Sequence, residues 1–150
     1  MPFELSYTIE GDKQLSRRLL IMSDKIKDWT PAFVETAMTL KNIFSMDVFQ
    51  SQGAIIEEHW SPLSKAYAMR KSKRYPGKGI LEASGAMRAG FMTMYRSDMA
   101  QVWNEVDYFK YHQSNRPRTK LPRRVMMKLA EAQRQQVVKI FHNYFIQATA

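Results

Sequence analysis

The chain has 150 residues, 23 Lys/Arg against 14 Asp/Glu for a net charge of +9, and no cysteine. That length fits one domain, residues 1–150, with a core large enough to fold alone. The missing cysteines exclude disulfides and thiolate metal sites and are compatible with a reducing cytosol. No apolar run approaches the roughly 18–20 residues that span a bilayer. The opening Met1-Pro2-Phe3-Glu4-Leu5 lacks the basic and apolar regions of a signal peptide. A soluble protein, made where it acts and with no membrane partner, is expected.

In chain order, Phe3, Leu5, Tyr7 and Ile9 alternate with Glu4, Ser6 and Thr8, the period of a half-buried strand. Gly11 and Asp12 stop it. Leu15, Leu19, Met22 and Ile26 then mark one face of a helix ending near Trp29. Thr30-Pro31 reads as an N-cap with proline at the first helical position. The helix it opens places Phe33, Ala37, Leu40, Phe44 and Val48 on one stripe and stops at Gly53.

Ser61-Pro62 offers the start of a short helix, but residues 70–79 crowd five basic side chains around Pro76, Gly77 and Gly79, which predicts a long, mobile, cationic loop. A short helix over residues 80–89, broken or ended near Gly85 or Gly90, is expected. Residues 91–96 and 101–106 alternate around Ser97-Asp98-Met99-Ala100 and read as a hairpin, its core face holding Phe91, Thr93 and Tyr95 or the complement. A helical turn over residues 107–113 and a polar basic stretch over 114–124 follow. The closing helix is expected over residues 126–146, with Leu129, Ala132, Gln136, Ile140 and Phe141 to Phe145 setting its apolar stripe. The fold class is α+β: a small antiparallel sheet covered by two N-terminal helices and a long C-terminal helix, with a long basic loop.

The charge is segregated. Residues 59–81 hold six Lys/Arg and residues 108–130 hold seven, with no Asp or Glu in either, so these 46 residues carry +13 while the other 104 hold 10 Lys/Arg against 14 Asp/Glu. Two such segments are either solvated loops or one surface facing a polyanion such as nucleic acid. The cations proposed to face DNA are Lys65, Arg70, Lys71, Lys73, Arg74, Lys78, Arg116, Arg118, Lys120, Arg123 and Arg124. All are treated as exposed, so reversing Lys71, Lys73, Arg123 and Arg124 together is expected to leave the fold intact. Trp60, beside a Ser-Pro turn, and Leu63 are read as structural anchors, because a tryptophan there buries a large apolar area.

Enzyme chemistry finds no foothold. His59, His112 and His142 are far apart in sequence, Glu57 and Glu58 point about 100° apart on a helix, and no phosphate loop, nucleophile elbow or dinucleotide fingerprint occurs. A non-enzyme without metal or cofactor is expected. Met92, Met94, Met126 and Met127 are read as core filling ahead of an adaptable contact surface. Tyr108, Phe109 and Tyr111 are read as core or subunit interface ahead of base stacking.

One ordered set of motifs remains. Phe49-Gln50-Ser51-Gln52-Gly53 is followed by Trp60-Ser61-Pro62-Leu63-Ser64 with Tyr67 and Lys71, then by Ile80-Leu81-Glu82-Ala83-Ser84-Gly85-Ala86-Met87. A hairpin, Tyr111-His112-Gln113 and Leu121-Pro122-Arg123-Arg124 complete it. The set resembles the tailed-phage virion morphogenesis proteins, the tail completion and head-to-tail joining family of Mu-like and related phages. Three departures stand out: Glu58-His59 replaces a glycine shortly before the tryptophan, Ser114-Asn115 replaces an apolar residue and glycine, and Pro122-Arg123-Arg124 replaces Pro-Ala-Arg.

The resemblance implies a structural protein of the phage neck or tail end, a virion component assembled in the host cytoplasm. Copies would form a ring, a hexamer rather than a dodecamer, completing the head-to-tail joint around the DNA path. Its partners would be adjacent neck, tail terminator or tail tube proteins and non-specific DNA in the lumen. Alongside Trp60 and Leu63 it implies structural roles for Pro62, Leu81, Gly85, His112 and Pro122. The competing expectation is a small cytosolic nucleic-acid-binding protein that uses the two basic segments on phosphate.

Overall fold

The computed structural model describes residues 17, 18, 20–22, 24, 26–116 and 120–150. The strand expected over residues 3–9 lies outside these, as do Leu15, Leu19 and Arg118. Of the first helix, residues 17, 18, 20–22 and 24 are helical, and Ile26 beyond them is buried.

Helix α1 (Thr30–Asn42) runs on through a π turn (Ile43–Asp47) into a last α turn (Val48–Gln50). Its cap differs from the Thr30 reading: Trp29 occupies the N-cap position with no side-chain bond, and Asp28 Oδ1 accepts from the Thr30 amide at 2.9 Å. Those Thr30 contacts hold the Asp28 carboxyl below its ordinary value. The predicted stripe faces inward, with Ala37 and Val48 fully buried and Phe44 nearly so. Within the π turn, the Ser45 carbonyl accepts from Arg88 Nε at 2.8 Å, the kind of outside partner that a shifted helical ladder admits.

Gly53 ends this run at φ +83°, and a Cβ there would sit 1.9 Å from the Glu58 carbonyl oxygen and 2.8 Å from the Trp60 ring. Only glycine permits both the left-handed turn and that approach. A 3-10 turn (Ala54–Ile56) then delivers Trp60 onto Phe49, edge to face at 5.3 Å.

Helix α2 (Lys65–Arg74) corrects the reading of residues 70–79 as a mobile loop: only residues 75–79 are irregular. Ala66, Ala68, Met69, Arg70 and Lys71 are strong helix formers. Ser64 Oγ accepts from the Tyr67 amide at 3.4 Å as the N-cap. The crowded cations Lys71, Lys73 and Arg74 occupy the last turn, where the helix dipole favours positive charge. Short helix α3 (Ala86–Ala89) follows, occupying the end of the expected 80–89 segment between Gly85 at its N-cap and Gly90 at its C-cap, the glycines where a break or an end was expected.

Strands β1 (Phe91–Tyr95) and β2 (Ala100–Asn104) pair antiparallel, with Phe91 opposite Asn104 and Tyr95 opposite Ala100. Phe91 is fully buried against Phe44, Phe49 and Phe109, and Val102 packs on the same core, so the face starting at Phe91 turns inward; Tyr95, farther along it, is exposed. Helix α4 (Phe109–Gln113) comes next, and α5 (Glu131–Thr149) closes the chain.

Residues 126–130, expected to be helical, are not, because the backbone around them is engaged elsewhere. Gln113 Oε1 accepts from the Met126 and Met127 amides at 3.0 and 3.2 Å, its Nε2 donates to the Met127 carbonyl at 2.6 Å, and the Val125 carbonyl accepts from Trp60. The inward stripe of α5 holds as expected at Ile140 and Phe141 and departs from the expectation only in the first turns. Ala132 and Gln136 are exposed, while Gln133 and Ile140 are buried. Toward its end, Phe141 and Tyr144 stack on Trp29, and Phe141 meets Phe33 at 4.9 Å. The described residues thus form a two-stranded antiparallel sheet packed by helices, an α+β fold with a long C-terminal helix.

Candidate functional site

The two acid-free segments meet. Trp60 Nε1 donates to the Val125 carbonyl at 2.7 Å, 65 positions along the chain. The Arg124 guanidinium donates to the Ser61 carbonyl from Nε at 2.9 Å and Nη2 at 2.8 Å, and reaches the Pro62 carbonyl at 3.3 Å. The Arg124 amide in turn donates to the His112 carbonyl at 3.1 Å. Between the joined segments runs an open groove of about 920 Å³, walled by α2, residues 61–64, Leu81, Ala83 and Ser84, and by residues 120–122 with Arg124.

Its chemistry has two layers. The floor is apolar, built from Leu63, Leu81, Met87 and Leu121. Leu81 takes φ +63°, unusual for a leucine, and packs against the core as it lines this floor. Arg70 and Lys120, both exposed, stand at the rim, and none of the described lining residues is Asp or Glu. The sequence signal for the floor is weak, since its leucines come from separate loops with no shared period.

The candidate cations divide into two groups. Lys65, Arg70, Lys73, Arg74, Lys78, Arg116, Lys120 and Arg123 are exposed. On α2, Arg70, Lys73 and Arg74 are neighbours at i, i+3 and i+4, and Arg74 also lies over the Tyr75 ring at 5.4 Å. Lys71 and Arg124 are 6 % and 5 % exposed, which corrects their placement as surface charges. Lys71 Nζ donates to the Gly79 carbonyl and so ties the end of α2 to the loop behind it. Burial lowers the Lys71 pKa, with Glu82 opposing and Arg124 adding to the shift; burial likewise lowers that of Arg124, against Tyr67. Neither is free to meet a phosphate, so the quadruple reversal expected to spare the fold would leave two uncompensated buried carboxylates.

Of the anchor residues, Trp60 is buried at 6 % and His112 at 9 %, while Leu63, Leu81, Gly85 and Pro122 are half-buried and Pro62 is exposed. Gly85 adopts φ +80° ahead of α3. Sequence reasoning missed Gln113 as a clamp and Glu82, which pairs with Arg88 at 2.8 Å. Both lie inside the quoted motifs, but the partners of Gln113 lie 13 and 14 positions on, and Arg88, six positions from Glu82, falls just outside them. Among the described residues no group of three or more His, Cys, Asp or Glu is placed to hold a metal ion, and no helix is long and apolar enough to cross a membrane.

Residues 11–145 match the phage virion morphogenesis family. No curated protein and no solved structure matches the chain. The match spans nearly the whole sequence and takes in α1, the joined acid-free segments, the hairpin and most of α5: the chain belongs to the phage virion morphogenesis family, with a structural or assembly role in the virion.

Proposed function

We propose that this protein completes the head-to-tail joint of the particle, with copies closing as a ring, six rather than twelve, around the path of the DNA at the neck or tail end. It acts without catalysis, against adjacent neck, tail terminator or tail tube proteins. The observation that supports the reading is the joining of both acid-free segments by Arg124 and Trp60, which brings the two cationic stretches of the sequence into contact. Lys65, Lys73, Arg74, Lys78, Arg116 and Arg123 then neutralise passing phosphates without reading bases, as sliding DNA of arbitrary sequence requires.

The test is a particle carrying Lys65→Glu, Lys73→Glu and Arg74→Glu in this protein. All three side chains are exposed, so the isolated subunit stays folded, its thermal unfolding midpoint lowered only slightly by the two reversals in the last turn of α2. The particles are expected to lose packaged DNA or fail to join heads to tails in electron micrographs. Normal infectious particles would overturn the DNA-facing role.

A further inference from the structure

The groove between the acid-free segments has a floor suited to apolar side chains and a rim suited to carboxylates. A phosphate backbone has no use for Leu63, Leu81, Met87 and Leu121. The occupant that complements both layers is an extended peptide with apolar residues on one side and acids on the other, since alternate side chains of an extended chain point to opposite faces.

The sequence holds such a segment. Residues 1–12 contain Glu4, Glu10 and Asp12 and no Lys or Arg, and Phe3, Leu5, Tyr7 and Ile9 alternate with Glu4, Ser6, Thr8 and Glu10. Extended, they span about 40 Å at roughly 3.3 Å per residue. Other stretches with several carboxylates and no Lys or Arg, residues 28–40, 42–64 and 97–109, are built into α1, the turn after it and the hairpin, so they are not free to insert.

We infer that residues 1–12 of one copy lie in this groove of the neighbouring copy, Phe3, Leu5, Tyr7 and Ile9 on the apolar floor and Glu4 and Glu10 beside Arg70 and Lys120. The inference rests on the ring reading and supplies its subunit contact. Each copy offers one segment and one groove, so the contact is head-to-tail and repeats until the rotation closes. Arg70 and Lys120 are thereby assigned to the subunit contact, apart from the cations that meet DNA.

The absence of cysteine makes the test direct. Full-length chains carrying Glu4→Cys and a differently tagged full-length set carrying Lys120→Cys or Arg70→Cys are mixed and oxidised, and assembly size is followed by light scattering. A mixed disulfide between the two tags is expected. Phe3→Asp with Leu5→Asp removes it, and Glu4→Lys with Glu10→Lys weakens assembly at least tenfold, restored by Arg70→Glu with Lys120→Glu. Rings of unchanged size without a mixed disulfide overturn the docking and leave the ring standing. A chain that stays monomeric at every concentration overturns both. An intrachain disulfide in monomers carrying both Glu4→Cys and Lys120→Cys overturns docking between copies.

Discussion

The two acid-free segments have the same length and nearly the same charge, yet they fold by opposite means. The first builds α2 from local ingredients: a serine cap, alanines and long side chains, and cations in the turn where the helix dipole welcomes them. The second is irregular over the described residues 114–116 and 120–130 and takes its shape from side-chain bonds, with Gln113, Trp60 and the Ser61 and Pro62 carbonyls holding it. Charge composition therefore says little about order; what decides is whether backbone groups find partners nearby or far away.

Long-range bonds concentrate the stability of the second segment in a few side chains, so single substitutions there should be severe. Trp60→Ala removes a ring that is 6 % exposed, its edge contact with Phe49 and the bond to the Val125 carbonyl. A loss of about 3–5 kcal/mol in urea unfolding is expected. An unchanged midpoint would mean that the indole does not join the segments. Gln113→Ala comes next, at about 2 kcal/mol, because three backbone groups of Met126 and Met127 lose their partner while the structure around them stays buried. Amide exchange should quicken at residues 125–127 and stay slow in α2; equal quickening in both would break the contrast between the segments.

Legibility in the sequence follows the same division. α1 was legible because Phe33, Ala37, Leu40, Phe44 and Val48 keep a helical period, and the hairpin because alternation is interrupted by Ser97-Asp98. α2 was misread: Pro76, Gly77 and Gly79 outweighed the helix formers before them, although they only terminate the helix. The early start given to α5, and the misplacement of its stripe in the first turns, trace to Gln113, whose hold on residues 126 and 127 no local pattern announces. The cationic character of the site was legible as a run of charge. The burial of Lys71 and Arg124 was not, since each depends on carbonyls brought in by the tertiary fold.

A smaller effect tests the local side of the contrast. Ser64→Ala removes the N-cap of α2, whose bond to the Tyr67 amide is long at 3.4 Å, so a cost of about 0.5–1 kcal/mol is expected. Circular dichroism should show fraying confined to one turn. Unfolding of the whole helix would show that α2, too, depends on long-range support.

The smallest expected effect separates the two buried cations. Arginine keeps its proton at any accessible pH, whereas a buried lysine can shed it. Burial places the Lys71 pKa below its ordinary 10.5, so between the folded value and 10.5 the unfolded chain binds more protons than the folded one, and stability rises with pH across that window. Below it both states are protonated and the fold bears the full cost of a desolvated ammonium; above 10.5 both are neutral and nothing more is gained. Neutral Lys71 still donates to the Gly79 carbonyl, so the tie between α2 and its loop survives deprotonation. Urea unfolding from pH 7 to 10.5, taken as wild type minus Lys71→Met, should therefore slope upward toward alkaline pH, while wild type minus Arg124→Met stays flat. A flat Lys71 difference would mean that its ammonium remains hydrated, and that the first segment, unlike the second, holds no buried charge.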